Sequence, residues 1–209
     1  MNKLQLPHVT LCAFGSEKYR AGQQNALDYS CRGITWGAVK NIIVPTHSID
    51  AWSRAVVFDL GGYIETEFAL LIHPDGYVAE PDAWRNEFLA YDFIGAPFPL
   101  PTDTFSYRDV NGVIQRVGNS VSIRSKKLLD LPKKIAMEWK PFHGFYNEDG
   151  YVSVNMRHVF EAHGCTFAPL AVAKYFSREG TIPENRDIEK TFCFHRFEGR
   201  NAKYLNFEV

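Results

Sequence analysis

The chain has 209 residues, 45% of them hydrophobic, which is enough for one domain with a substantial core and argues against disorder. Lysine and arginine total 23 against 24 aspartate and glutamate, so no global basic field exists to attract nucleic acid or anionic membranes. The four cysteines are widely spaced without a Cys-x-x-Cys pair, which argues against a zinc ribbon and a disulfide framework. Neither a signal peptide nor an apolar run of membrane-spanning length is visible, so we expect a cytoplasmic protein with a single domain over residues 1–209.

The first half of the chain alternates apolar, β-prone runs with segments of helical spacing. In chain order the predicted elements are a strand at 8–14, a helix at 19–31, a strand at 39–44, a helix at 52–60, a strand at 68–72, a helix at 81–91 and a strand at 93–96. Strands that alternate with helices indicate an α/β fold with a mostly parallel central sheet and flanking helices.

The alternation stops at residue 97. Residues 97–116 contain proline, glycine, aromatics and charges without periodicity, which predicts a long loop that serves as a lid. The elements predicted after it are a strand at 117–123, a helix at 126–131 ended by Pro132, and an amphipathic helix at 151–163 closed by Gly164.

The strand predicted at 68–72 is followed by a single carboxylate in the run HPDGYV. Asp75 lies between Pro74 and Gly76, directly after five consecutive core-type residues. In open α/β sheets, ligands bind at the carboxyl ends of the strands, so the position of Asp75 indicates a binding site. The alternative interpretation is a solvated Pro-Asp-Gly turn.

Four segments of the chain occur in an order found in a known family. They are VTLCAF, HPDGYV, RVGNSVSIRS, and NEDGYV followed later by FCFHRFEG. Together they resemble nucleotide-sugar glycosyltransferases of the GT-A type, in particular a small bacterial and viral glycosyltransferase-like family whose members were long labelled a domain of unknown function. The resemblance covers about residues 6–199 and implies a single GT-A-like domain with a Rossmann-like nucleotide-sugar fold.

The resemblance also implies a divalent metal, Mn²⁺ or Mg²⁺, that bridges the diphosphate of the donor. Asp75 retains the last acidic position of the Asp-x-Asp motif, and His73 stands where the first carboxylate is often found. His195 matches a late histidine that contacts the metal or the phosphates. A hard cation needs few protein ligands when phosphate oxygens and waters complete its shell, and a histidine ligand favours manganese. Simple packing of His73 at the sheet edge is the alternative.

The motif NEDGYV resembles one that opens a helix on the acceptor side of such enzymes. An inverting transfer needs a base that removes the proton of the acceptor hydroxyl. Asp149 is the first candidate for this base, and Glu148 is the second because the register of the motif is ambiguous. Alternatively, both acids only stabilise the start of the following helix.

The remaining candidates implied by the resemblance belong to the donor site. They are Ala13, Phe14 and Gly15 for the uracil ring, Gly118 and Asn119 for the sugar, and Arg54 and Arg196 for the diphosphate. Arginine suits a diphosphate because its guanidinium bonds two phosphate oxygens at once. Arg54 alone on a helix is also typical of a solvated charge.

The predicted function is a metal-assisted, inverting transfer of a hexose from a nucleotide diphosphate sugar, a UDP-sugar, to a glycan or other hydroxyl acceptor. One alternative is a glycosyltransferase that acts on modified bases of DNA, which would need a local basic face. That face would consist of Arg116, Arg124, Lys126, Lys127, Lys133 and Lys134. The other alternative is a non-catalytic module that binds nucleotide sugars, consistent with the incomplete acidic motif.

Overall fold

The computed structural model describes residues 3–140 and 147–207. The other residues of the predicted domain, 1–2, 141–146 and 208–209, lie outside this description. A five-stranded sheet runs through the protein in the order β2-β1-β3-β5-β4. Its strands are β1 (Leu4–Gly15), β2 (Ile34–Ile43), β3 (Phe68–Ile72), β4 (Phe93–Pro97) and β5 (Val117–Ser125). A small parallel pair joins β6 (Ser177–Arg178) to β7 (Cys193–Phe194).

The sheet is mixed. β1 pairs in parallel with β2 and β3, whereas β5 runs antiparallel to both β3 and β4. The prediction of an α/β fold is therefore confirmed. The expectation of a mostly parallel sheet is met in part, because β5 runs opposite to the other four strands and parallel pairing is confined to β1, β2 and β3. The physical reason lies in the connection between β4 and β5, which has no crossover helix and so permits an antiparallel pair.

Six α-helices are described in these parts of the chain. They are α1 (Arg20–Ser30), α2 (Ile49–Phe58), α3 (Lys126–Lys134), α4 (Glu148–Gly150), α5 (Arg157–Ala162) and α6 (Leu170–Phe176). Within residues 3–140 and 147–207, no helix combines the length and apolar character needed to cross a bilayer.

Three predicted helices differ from the structure. Residues 81–91 form two short 3₁₀ turns, Pro81–Ala83 and Asn86–Ala90, because Trp84 packs edge-on against Phe192 with 4.9 Å between the ring centroids. Tertiary packing of this kind overrides local helix propensity.

The helix predicted at 151–163 is divided into a π-helical turn, Tyr151–Asn155, and α5. The amide of Met156 donates to the carbonyl of Tyr151 at 2.8 Å, a bond five residues long that widens the turn. Helix α3 continues past Pro132, because a proline removes only its own amide and the next turn still closes from Ile135 to Leu131.

The core explains why β1 and β3 lie at the centre. Leu11 and Ala13 face the layer that contains α1, whereas Cys12 and Phe14 face the layer that contains α2. β1 is buried on both faces from Val9 onward, and β3 shows the same division. Because these parallel strands are paired in register, their carboxyl ends lie at the same edge of the sheet.

The loop predicted as a lid, 97–116, folds mainly on itself. The ring of Tyr107 stacks on that of Phe98 with 4.4 Å between the centroids, and Arg108 and Ile114 form an isolated bridge. Arg116 donates to the carbonyl of Phe98 at 2.8 Å and closes the base of the loop. These contacts build a compact excursion between β4 and β5.

We predict that Gly118→Ala destabilises the protein. A Cβ at this position would lie 1.9 Å from Cζ of Phe98, and the Phe98 ring is held by its stack on Tyr107. Overpacking of this kind costs about 1–3 kcal/mol, which urea unfolding would measure. Gly62→Ala is the control, since a Cβ there meets nothing within 4 Å. Equal stabilities of the two variants would contradict the prediction.

Candidate active site

A cleft of about 1080 Å³ opens at the carboxyl ends of β1 and β3. Its walls come from the end of β1, the segment before α2, the turn after β3, the start of β5, and α4. Most of the residues predicted for the site line it, namely Phe14, Gly15, His73, Asp75, Asn119, Glu148, Asp149, His195 and Arg196. Residues distant in sequence are thus gathered at the edge of the sheet where α/β proteins bind ligands.

Three residues predicted for the donor site lie outside this cleft. Ala13 is fully buried, and its side chain packs in the core beneath the floor of the cleft. Arg54 is exposed on α2, and its guanidinium lies over the ring of Phe58, 5.4 Å from the centroid. Gly118 provides space for the ring of Phe98 rather than for a sugar. The structure therefore does not place these three residues in the lining of the cleft.

The turn after β3 places Asp75 beside His195. The amide of His73 donates to the carbonyl of Gly76 at 2.7 Å, so Pro74 and Asp75 occupy the tip of a tight turn. A Cβ on Gly76 would lie 2.8 Å from Cδ2 of His195, so only glycine permits this approach. Asp75 Oδ2 and His195 Nε2 are consequently 3.5 Å apart.

The backbone at Arg196 fastens β7 to the same turn. Arg196 adopts a left-handed conformation with φ of 64°, and its amide donates to the carbonyl of Asp75 at 2.8 Å. Left-handed backbone at a residue other than glycine is uncommon, and it occurs most often where the surroundings require it. Here it turns the chain so that His195 and Arg196 both line the cleft.

Glu179 joins these groups and was missed in the sequence. Its carboxylate accepts a hydrogen bond from Asn119 Nδ2 at 2.9 Å, lies 3.6 Å from His195 Nδ1, and lies 3.2 Å from Arg196 Nε. It follows β6, a strand of two residues that is too short to produce a periodic pattern. The sequence therefore contained no signal that would separate Glu179 from any other acid.

Asn119 is held by the protein in a way that limits its predicted role. Its Nδ2 lies within hydrogen-bond distance of both Glu179 and His195, and its Oδ1 accepts from the amide of Val121 at 3.0 Å. These contacts occupy three of the four hydrogen-bonding positions of the amide. Asn119 is thus placed to orient its neighbours more than to bind sugar hydroxyls.

The charges of this cluster support one another. Burial alone would lower the pKa of His195, but the nearby carboxylate of Glu179 and the charge of Asp75 outweigh burial and raise it. Burial alone would raise the pKa of Glu179, but His195, Arg196 and Asn119 outweigh burial and lower it. Opposite charges therefore favour an ionised cluster at one end of the cleft.

His73 lies next to the cluster with an unused nitrogen. Its ring is 5.8 Å from that of His195 and 5.4 Å from that of Trp52, measured between centroids. Its Nε2 is buried and has no hydrogen-bond partner among the described residues. Burial, and then the charge of His195, lower the pKa of His73 to about 4, so its imidazole is neutral at pH 7.

The implied metal can be compared with the side chains at the turn. Within residues 3–140 and 147–207, no three His, Cys, Asp or Glu side chains form a group that could hold a metal ion. Asp75 Oδ2 and His195 Nε2 do face each other, and the unpaired Nε2 of His73 lies nearby. One carboxylate and one imidazole fit a cation that takes its remaining ligands from phosphates and water. The described side chains alone do not supply a complete site.

The two acids of NEDGYV have different surroundings. Glu148 is buried and accepts a bond from Arg124 Nη2 at 2.9 Å, so its carboxylate is committed to an ion pair. Asp149 forms no ion pair with any residue in the ranges 3–140 and 147–207, and burial followed by the charge of Glu148 raises its pKa to about 7. A carboxylate with this pKa is suited to accept a proton near neutral pH, which favours Asp149 over Glu148 as the base.

The basic face suggested for DNA is largely neutralised. Five of its six cations form ion pairs, namely Arg116 with Glu184, Arg124 with Glu148, Lys126 with Asp130, Lys127 with Asp92, and Lys133 with Asp59.

Comparisons with known proteins agree with the fold. A family model described as "Protein of unknown function (DUF5672)" matches residues 62–195, which is more than half of the chain. No curated protein matches the sequence significantly. Among solved structures, the chain is similar to the crystal structure of a glycosyltransferase involved in the glycosylation of the major capsid of PBCV-1, with a TM-score of 0.59 and 14% identity. The match covers 96% of this chain and 99% of that one, and at this identity it shows the shared fold alone.

We predict that Arg124→Met strongly destabilises the protein, because it leaves the carboxylate of Glu148 buried without its partner. Both side chains are almost completely buried, at 1% and 2% exposure, and breaking such a pair costs about 3–5 kcal/mol in urea unfolding. Adding Glu148→Leu to Arg124→Met should restore most of the loss. Lys126→Met breaks an exposed pair with Asp130 and should cost less than about 1 kcal/mol. A similar small loss in Arg124→Met would contradict this prediction.

We predict that Asp149→Asn stabilises the protein at high pH. The folded protein retains the proton of Asp149 up to a pKa of about 7, whereas the unfolded chain loses it near about 4. The stability of the native protein therefore falls as pH rises between these values, and the variant lacks this loss. Its melting temperature should exceed that of the native protein above about pH 7, with the difference vanishing near about pH 4. Asp187→Asn, at an exposed residue, should show no such dependence.

Proposed function

Because the chain belongs to the family described as "Protein of unknown function (DUF5672)", a description that names no activity, we propose its function from the residues of the cleft. The protein is a glycosyltransferase that moves a hexose from a UDP-sugar to a hydroxyl acceptor. The observation that carries the proposal is the presence of Asp149, with a pKa of about 7, in the same cleft as the Asp75 and His195 pair. The cleft thus combines a cluster that suits a diphosphate with a base. The fold shared with a solved glycosyltransferase supports this interpretation.

The donor would lie along the carboxyl edge of the sheet. Phe14 and Gly15 line the end of the cleft at β1, where the uracil ring would bind. The diphosphate would lie toward the turn after β3, within reach of the Arg196 guanidinium, which can bond two phosphate oxygens at once. Glu179 holds Arg196 and His195 in place before the donor arrives, so less conformational freedom is lost on binding.

The transfer requires one proton acceptor, and Asp149 would serve as this base. Its carboxylate takes the proton of the acceptor hydroxyl while that oxygen attacks the anomeric carbon from the face opposite the diphosphate. The bond between the anomeric carbon and the diphosphate oxygen breaks, and its electron pair leaves with UDP. Asp149 then releases the proton to solvent, and the sugar has an inverted configuration.

Asp75 and His195 would hold the divalent cation, Mn²⁺ or Mg²⁺. When bound, the cation would neutralise the negative charge that accumulates on the leaving diphosphate. Because a histidine must be neutral to bind a metal, the raised pKa of His195 makes protonation compete with this binding.

The proposal is tested by incubating the native protein and three variants with candidate donors. Purified protein with Mn²⁺ is incubated with UDP-glucose, UDP-galactose or UDP-N-acetylglucosamine, and binding is followed by thermal shift and products by mass spectrometry. Asp149→Asn should keep donor binding but lose transfer by about 10²–10⁴-fold, because only the base is removed. Asp75→Ala should lose the metal-dependent part of donor binding. Asp187→Asn should keep both donor binding and transfer.

Three outcomes would count against the proposal in different ways. If the native protein binds none of these donors with or without the metal, the nucleotide-sugar site is wrong. If it binds a donor but neither transfers nor hydrolyses the sugar, the protein is a binding module. If Asp75→Ala and Asp149→Asn lose donor binding equally, the separate roles of the two carboxylates are wrong.

A further inference from the structure

The wall of the cleft contains a buried amide that the proposed function has not used. Gln23 lies on α1, is 2% exposed and lines the cleft. Among residues 3–140 and 147–207, nothing donates to its buried Oε1 and nothing accepts from its Nε2. Buried amides in native proteins are nearly always paired, so an unpaired one that lines a cleft indicates a partner from outside the protein.

Two glycines bring this amide to its position. A Cβ on Gly15 would lie 2.2 Å from Gln23 Nε2, so the absence of a side chain at the end of β1 makes room for the amide. A Cβ on Gly22 would lie 3.2 Å from Cβ of Pro74, the residue before Asp75. Helix α1 therefore packs closely against both the end of β1 and the turn after β3. The amide lies at the β1 end of the cleft that contains Asp75.

The surroundings of the amide suit a flat ring. Trp52 donates from its indole nitrogen to the carbonyl of Phe14 at 2.7 Å, which holds its ring beside the end of β1. Phe14 and Trp52 line the same cleft as Gln23. Aromatic and apolar walls with one polar group that has both a donor and an acceptor are typical of sites for planar heterocycles.

We infer that Gln23 recognises the hydrogen-bonding edge of the donor's base. Uracil has an imide N–H next to a carbonyl, and an amide side chain pairs with this edge by accepting from the N–H and donating to the carbonyl oxygen. The inference rests on the proposed function, because it takes the base from the UDP-sugar. It makes Gln23 a specificity-determining residue and gives the unpaired amide its partner.

The melting temperature of a variant distinguishes an amide that binds a ligand from an amide with a structural role. Met has nearly the shape of Gln without its polar atoms, so Gln23→Met removes an unpaired buried amide and should raise the melting temperature of the ligand-free protein. An amide with a structural role would instead lower the melting temperature when removed. The neighbouring Gln24 is exposed and bonds to Asp28, which makes Gln24→Met a matched control.

The experiment measures binding of UMP and UDP by calorimetry, with Mn²⁺ present, to the native protein, Gln23→Met and Gln24→Met. We expect Gln23→Met to bind both nucleotides about tenfold or more weakly while melting at a higher temperature, and Gln24→Met to bind them as the native protein does. A second probe avoids mutation: 3-methyluridine monophosphate, whose imide N–H is blocked, should bind the native protein about tenfold or more weakly than UMP.

The outcomes separate this inference from the proposed function. In one outcome, the native protein binds UMP, Gln23→Met binds UMP as tightly as the native protein does, and the native protein binds the methylated nucleotide as tightly as UMP. The role of Gln23 is then wrong, and the glycosyltransferase proposal stands. If Gln23→Met melts at a lower temperature with unchanged nucleotide affinity, the amide is structural. If the native protein binds neither UMP nor UDP, the proposed function itself fails.

Discussion

The parallel pairing of β1 with β3 is the constraint on which the rest of this protein depends. Both strands are buried on both faces near their carboxyl ends, so most of the side chains there pack in the core. Chemistry must then come from the segments that follow the strands, and register brings those segments to one edge. Gly15 and Asp75 lie there for this reason, and the cleft opens between α1 and the segment before α2. The fold thus fixes where a ligand can bind, whichever polar side chains occupy those segments.

Two carboxylates that line the cleft then set its electrostatics. Glu148 is neutralised by Arg124 in the core and raises the pKa of its neighbour Asp149 by its charge, although burial contributes more. Glu179 orders His195 and Arg196 in the same cleft. A proton acceptor and an ionised cluster that includes an arginine suit a transfer to a hydroxyl with loss of a diphosphate. Neither role could be assigned from the charges of the residues alone.

The elements predicted most accurately are those with strong local signals. The strand at 68–72 has the predicted bounds, and the helix at 19–31 differs from α1 by one residue at each end. Errors arose where partners distant in the sequence decide the conformation. Trp84 packs on Phe192 and replaces a helix with short turns, and the antiparallel direction of β5 follows from a loop whose path no periodicity reveals. The contact between Trp84 and Phe192 joins residues far apart in the sequence, so it produces no local pattern from which it could be predicted.

The sequence by itself determined the α/β class, the buried strand that ends near Asp75, and the acids at 148 and 149, because hydrophobic period and turn chemistry are local properties. Only the tertiary structure decided which of these groups meet. It paired Glu148 with Arg124 and left Asp149 in the cleft, placed Arg54 and Gly118 away from it, and added Glu179 and Gln23 from segments without any motif. The physical reason is that burial and charge act through space, so the role of an ionisable or polar side chain depends on neighbours that the order of residues does not specify.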